Sequence, residues 1–250
     1  MGLAIKKITA RSVLTKSGIS GIDYCVNPYV GCSHGCVYCY ATFMKRFTGH
    51  AEAWGTFLDV KVNAPDVLSR ELRRTARGSV MISSVTDPYQ PAEKQYYLTR
   101  GCLEKLLDYQ YSVDILTKSS LVLRDMDLFK RFRNITVGIT ITTDDDTIRK
   151  VFEPHAPSVR TRIEALKSLH ENGIATYVFI GPVLPMNPEV LSESIYCHVD
   201  SVLIDRMNYV SKTQNIYKQM KFDRWLQRDV IENSIMRLRK GLSGKNICLC

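Results

Sequence analysis

The chain has 250 residues, 45% of them hydrophobic, and carries 34 lysines and arginines against 25 aspartates and glutamates, a formal net charge of +9. Such a chain can bury a sizeable core as one large domain or two small ones, which excludes intrinsic disorder, and no apolar run approaches the length of a membrane span. The basic balance favours a polyanionic partner such as DNA or RNA, although the same charge also suits a plain solvated surface.

From the N-terminus, residues 1–20 read as a mixed, basic, extended arm. The opening residues MGLAIKKITARSVLTK lack the apolar stretch of a signal peptide, and Lys6 stands where a myristoylation signal has Ser or Thr. A cytoplasmic location is therefore expected. Residues 22–26 form a first strand. Residues 44–54 form a helix or irregular segment with Lys45, Arg46 and a surface His50. Residues 57–62 alternate as a strand, and Pro65 opens a helix that runs to 76. From Gly78 strands and helices alternate: 80–84 with 92–109, 113–117 with 125–132, and 135–141 with 144–152 and 159–172. Strand 176–180 then pairs with helix 188–197, and strand 199–205 with a long helical region through 242. Thr161 and Glu164 make a capping box, and Gly173 stops that helix. Strands alternating with helices imply an α/β fold with parallel pairing and right-handed crossovers. Arg70, Arg73, Arg74 and Arg77 follow helical spacing, and Arg237, Arg239 and Lys240 form a second basic group; each either contacts phosphates or faces water.

The chemistry concentrates in Asn27-Pro28-Tyr29-Val30-Gly31-Cys32-Ser33-His34-Gly35-Cys36-Val37-Tyr38-Cys39-Tyr40. Cys32, Cys36 and Cys39 follow the spacing C-x₃-C-x₂-C. Gly31 and Gly35 let the backbone turn tightly, so that three sulfurs can converge on one point. Converging thiolates are soft ligands, suited to iron–sulfur clusters or zinc. A cubane cluster takes four thiolates, so three leave one iron open to a reacting molecule. A Cys₃His zinc knuckle using His34 or Cys25 is the alternative, although no second C-x₂-C pair follows. Of the other cysteines, Cys25, Cys102 and Cys197 read as small core residues. Cys248 and Cys250 form a C-x-C that is either a passive tail, a cluster ligand or a hydrogen-atom donor.

At these residues the chain resembles the radical S-adenosylmethionine (SAM) enzymes, whose signature is C-x₃-C-x-(aromatic)-C. The wider string N-P-Y-x-G-C-x-H-x-C-x-Y-C-Y-A resembles the branch related to spore photoproduct lyase. So do Thr86-Asp87-Pro88-Tyr89-Gln90-Pro91 and Phe152-Glu153-Pro154-His155-Ala156-Pro157. The resemblance covers residues 20 to 205. It implies a [4Fe–4S] cluster on Cys32, Cys36 and Cys39, with SAM chelating the open iron and being cleaved reductively to a 5′-deoxyadenosyl radical. It also implies a partial (β/α)₆ TIM-like barrel over residues 21–206, after an arm of 1–20 and before a C-terminal helical extension and tail of 207–250. An electron donor such as ferredoxin or flavodoxin is implied too.

Parallel barrels place chemistry at the C-terminal ends of their strands. That rule selects Ser83, Ser84, Thr86 and Asp87 after one strand. It also selects Thr140 and Thr142 on a strand whose Thr136, Gly138, Thr140 and Thr142 share one parity. By resemblance, Ser83, Ser84 and Asp87 lie where related enzymes bind the SAM ammonium; alternatively Asp87-Pro88 only starts a turn. Glu153 with Arg160 or Arg162 is expected to hold SAM's polar groups, with Arg162 otherwise an ordinary helix charge. Gly181 is expected to let backbone approach the adenine, and Tyr38 to contact the adenine or pack on the cluster. Ser84 stands where the lyase has a hydrogen-donating cysteine. An O–H bond is too strong for that role, so thymine-dimer repair by that route is not expected.

The expected function is a radical SAM enzyme, lyase- or transferase-type, that abstracts hydrogen from a nucleic-acid base in repair or modification. The alternatives are a peptide or small-metabolite substrate, or a non-catalytic iron–sulfur or zinc protein that binds nucleic acid.

Overall fold

A computed structural model describes residues 2–250. The fold is α/β, with a mostly parallel eight-stranded sheet and a separate three-stranded sheet. The chain divides into two compact units. The first ends at Gly35 and resumes over Ala41–Val137; the second comprises Cys36–Tyr40 and Gly138–Cys250.

In the first unit the N-terminal arm is not merely extended. It forms β1 (Ala4–Ile8) and β2 (Leu14–Lys16), followed by β3 (Tyr24–Val26), β4 (Tyr29–Val30) and β5 (Phe57–Lys61). β1 and β4 flank β5 in the small sheet, with Ala4 opposite Phe57 and Tyr29 opposite Val60. Helix α1 (Ala64–Leu72) starts with proline in its first turn and buries Ala64, Val67, Leu68 and Leu72. Each such large side chain contributes roughly 1.5–3 kcal/mol by leaving water. β6 (Ser79–Ile82) lies parallel to β3, and β2 runs antiparallel on its other side.

The single helix expected over 92–109 is broken. α2 (Glu93–Tyr96) and α3 (Leu98–Asp108) are separated by Tyr97, whose φ of 52° is left-handed. The cause is Glu93, a fully buried carboxylate. It accepts the backbone N–H groups of Thr99 at 3.0 Å and Arg100 at 3.3 Å, capping α3 from the preceding helix. The same carboxylate takes the Tyr29 hydroxyl and, at 2.8 Å, Arg124. β7 (Ser112–Thr117) pairs parallel with β6, and α4 (Met126–Phe129) follows.

The division between units falls inside β8 (Ile135–Thr140). In the second unit come α5 (Asp146–Phe152), α6 (Val159–Glu171), β9 (Ala175–Ile180), α7 (Pro188–Ile195) and β10 (Ser201–Ile204). α6 is capped by Ser158, whose hydroxyl accepts the Thr161 N–H, so the capping box expected at Thr161 is displaced by one turn. The helix ends before Gly173, at φ 76°, as expected. The long helical region after β10 is instead α8 (Val210–Gln219), a 3₁₀ turn (Asp223–Leu226) and α9 (Arg228–Gly241), interrupted at Lys221 with φ 58°. The final residues form β11 (Asn246–Leu249), parallel to β10. β9 pairs with the other side of β10, Tyr177 opposite Ser201.

Gly138 in β8 is required by packing. A Cβ there would stand 2.2 Å from the ring of Tyr177. The shared parity of Thr136, Gly138, Thr140 and Thr142 is thus interrupted by a seat for an aromatic ring. Cys25 and Cys102 are buried as expected, whereas Cys197 is exposed on a 3₁₀ turn. His50 is not a plain surface residue. It stacks on Phe57 at 4.1 Å, with its ring nitrogens 3.1 Å from Glu52 and 2.9 Å from Asp59.

Candidate cofactor site

The first unit holds the cysteine loop as far as Gly35. Gly31 has φ 89°, and a Cβ there would stand 2.6 Å from the Phe57 carbonyl oxygen, so only glycine fits. Its own carbonyl accepts the Thr86 hydroxyl at 2.5 Å. Gln90, fully buried, accepts the Ser33 N–H at 3.0 Å and donates to Thr86 at 2.9 Å. The Thr86–Gln90 stretch therefore cradles the loop backbone.

His34 and Asp87 face each other in the same unit, with Nε2 3.2 Å from Oδ2. Asp87 also accepts the Thr117 hydroxyl at 2.6 Å, the Lys118 N–H at 2.8 Å and the Tyr89 N–H at 2.9 Å. Burial alone would raise the Asp87 carboxyl. His34, Thr117 and the Lys118 N–H outweigh burial and hold it down at about 2. Asp87 is thus a carboxylate surrounded by donors from its own unit.

Three buried polar atoms near this loop have no hydrogen-bond partner: Ser33 Oγ, His34 Nδ1 and Ser83 Oγ. Left so, each costs roughly 1–3 kcal/mol. Ser83 follows β6 in a left-handed conformation, φ 65°, that non-glycine residues rarely adopt. Ser84 accepts from the Asn27 side chain at 3.4 Å.

The second unit holds Cys36–Tyr40. The Val37 N–H donates to the Phe152 carbonyl at 3.0 Å, and Lys212 donates to the Cys39 carbonyl at 2.6 Å. The Tyr38 hydroxyl donates to Glu153. Glu153, fully buried, also accepts the Thr142 hydroxyl at 3.0 Å and pairs with Arg162, itself 1% exposed. Arg162 spends its other donors on the carbonyls of Thr140 at 3.1 Å and Pro157 at 3.0 Å. Burial, Glu153 and Cys36 push the Tyr38 hydroxyl far above its ordinary range, so it stays a donor. Burial would lower the Arg162 guanidinium, but Glu153 outweighs it and the shift is upward.

Of the residues singled out in the sequence, Tyr38, Thr142, Glu153 and Arg162 thus meet in one network, joined by the Thr140 carbonyl. Asp87 meets His34 and Thr117. Ser83 and Ser84 lie at the end of β6. Gly181 stands by itself among the candidates: a Cβ there would stand 2.2 Å from the ring of Phe179. Sequence reading selected Thr86 by its place after a strand but not as an anchor of the loop, and missed Gln90 and the partnership of His34 with Asp87. The four-residue spacing of Thr86 and Gln90 was the available signal.

Cys32 and Cys36 are buried and Cys39 is half-buried, and none of the three is in a disulfide. Among the described residues no group of three or more His, Cys, Asp or Glu side chains is arranged for a single metal ion. His34 is turned to Asp87. A cubane asks for a different arrangement, because each thiolate binds a different iron. Thiolates are soft donors of the kind an iron–sulfur cluster takes.

The Radical SAM superfamily profile matches residues 26–195. An uncharacterised protein of Methanocaldococcus jannaschii is 44% identical over 183 residues, 73% of this chain and 69% of that one. Spore photoproduct lyase, solved with a dinucleoside spore photoproduct, superimposes with a TM-score of 0.71 at 12% identity, covering 98% of this chain and 82% of the lyase. SuiB of Streptococcus suis, solved with its precursor peptide SuiA, gives 0.61 at 14% identity over 90% of this chain but 48% of SuiB. These two likenesses show the fold, the α/β partial barrel expected above. Both neighbours have also been solved with SAM bound, the lyase as a mutant. The chain therefore belongs to the radical SAM superfamily and is an enzyme whose cofactors are a [4Fe–4S] cluster and SAM.

Proposed function

We propose that this radical SAM enzyme acts on a base within DNA or RNA. The observation that carries the substrate class is charge. The chain has a formal net charge of +9, and Arg70, Arg73, Arg74 and Arg77 are all exposed at the end of α1 and just beyond it. Arginines at that spacing match a phosphate backbone. A fold neighbour that holds a dinucleoside lesion agrees with this class. The second reading, a peptide substrate, is favoured by the SuiB likeness alone.

Cys32, Cys36 and Cys39 would hold the cluster. A cluster held there beside SAM would supply one-electron reduction of the sulfonium. The chain's own part is to hold the cysteine loop within each unit: Thr86 and Gln90 fix Gly31 and Ser33 in the first, and Glu153 fixes Tyr38 in the second. Ser33, His34 and Ser83 offer their unpartnered atoms to the cofactors' polar groups. Ser84 cannot return a hydrogen atom to a product radical, so the lyase's thiol route is not proposed. No helix among the described residues is long and apolar enough to cross a membrane.

The test is anaerobic reconstitution followed by incubation with reductant, SAM and oligonucleotides. The expected results are about four irons per chain, release of 5′-deoxyadenosine, and a new nucleoside mass in digested DNA or RNA. Oligonucleotide affinity should fall steeply with salt. SAM cleavage without salt-sensitive nucleic-acid binding would move the substrate to the peptide class.

A further inference from the structure

A 3₁₀ segment, Tyr40–Phe47, follows the third cysteine directly. From Ala41 onward it presents two phenylalanines to solvent, Phe43 at 40% and Phe47 at 75% exposure. Their rings meet edge to face at 6.4 Å. Arg46 between them is exposed, and Lys45 lies beside it, donating to the Ala51 carbonyl at 3.3 Å. Residues 41–51 contain no aspartate or glutamate. Large aromatic side chains standing this far into water on a cationic rim mark an interaction surface rather than a surplus of core.

We propose that Phe43, Arg46 and Phe47 form the docking surface for an acidic one-electron-carrier protein. The inference rests on the cluster reading given above. The radical reaction needs one electron from outside, and no group of this chain supplies it. The carrier is oxidised by one electron and the cluster reduced by one; no bond forms or breaks. Phe43 lies four residues beyond Cys39, and even a fully extended chain spans at most about 14 Å over that stretch. A carrier seated here is therefore kept close to a cluster ligand by covalent connection alone. Two phenylalanines with two cations suit the small, short-lived interfaces of redox encounters. They suit a nucleic-acid backbone less well, because two cations neutralise few phosphates.

The experiment uses reconstituted holoenzyme, anaerobically, with recombinant flavodoxin as the probe. Affinity is read from flavin fluorescence anisotropy, and reduction from bleaching of the cluster absorbance after mixing with photoreduced flavodoxin. Dithionite serves as the small-molecule comparison. The variant Arg46→Glu/Phe47→Ser alters exposed side chains only. It should weaken flavodoxin binding and slow flavodoxin-driven bleaching by about tenfold, leave dithionite-driven bleaching unchanged, and remove the salt dependence of the wild-type rate. Equal flavodoxin binding and rates in variant and wild type would overturn the proposal. So would a variant that loses oligonucleotide affinity while keeping flavodoxin rates, which would reassign the surface to substrate. A wild-type chain that dithionite cannot bleach would sink the cluster reading, and this surface with it.

Discussion

Glu153 stands between Arg162 and Tyr38, taking a charge from one and a hydroxyl from the other with no exposure to water. The cysteine segment is thereby tied to a buried ion pair. Replacing Arg162 by Met leaves the carboxylate buried and uncompensated, a loss of about 3–5 kcal/mol. Thermal unfolding should fall by roughly 10 °C in a chain this size, and iron retention should fall with it. Arg162→Met with unchanged melting would mean that the pair is not formed.

Asp87 gives a pH signature. Its carboxyl is held at about 2, below the 3.8 of the free group. A depressed carboxylate contributes stability above its unfolded pKa, and that contribution is lost as pH falls through the folded value. The loss therefore spans roughly pH 4 down to pH 2, on the order of 2 kcal/mol. Urea unfolding of wild type and Asp87→Asn across that range should show the difference between them shrinking as the pH drops. A constant difference would refute the assignment.

The three cysteines of the loop should behave as a set. Cys32→Ala, Cys36→Ala and Cys39→Ala should each lower bound iron after reconstitution to a small fraction of about four per chain. Cys25→Ala should leave iron unchanged, since that thiol is buried in β3 away from the motif. Iron assay and visible absorbance settle both.

Gly138→Ala should be destabilising, because its new methyl meets the Tyr177 ring. Overpacking of this kind costs typically about 1–3 kcal/mol. Adding Tyr177→Val should recover part of the loss, and the double-mutant cycle should be non-additive. Strict additivity would place the two residues out of contact.

The cysteine loop and the strand–helix alternation were legible because both are local patterns. Spacing of three and two names the ligands, and alternate polarity names the strands. The break at Tyr97 was not legible, because the buried Glu93 that caps α3 also needs Tyr29, 64 residues away. Tyr38 with Glu153 lies 115 residues apart, so sequence could nominate both residues but not their pairing. The cap at Ser158 was missed for a different reason: Thr161 offers an equally good local signal, and only helix geometry chooses between them.

Glu93 has one more consequence, for the order of assembly. Its carboxylate gathers Tyr29, the first amides of α3 and Arg124, stretches spread over nearly a hundred residues. The first turn of α3 is therefore capped by a carboxylate whose own burial is compensated only once β4 and the Arg124 turn have arrived. In pulse-labelling during refolding, the Thr99 amide should gain protection late, together with β4, and after the middle of its own helix.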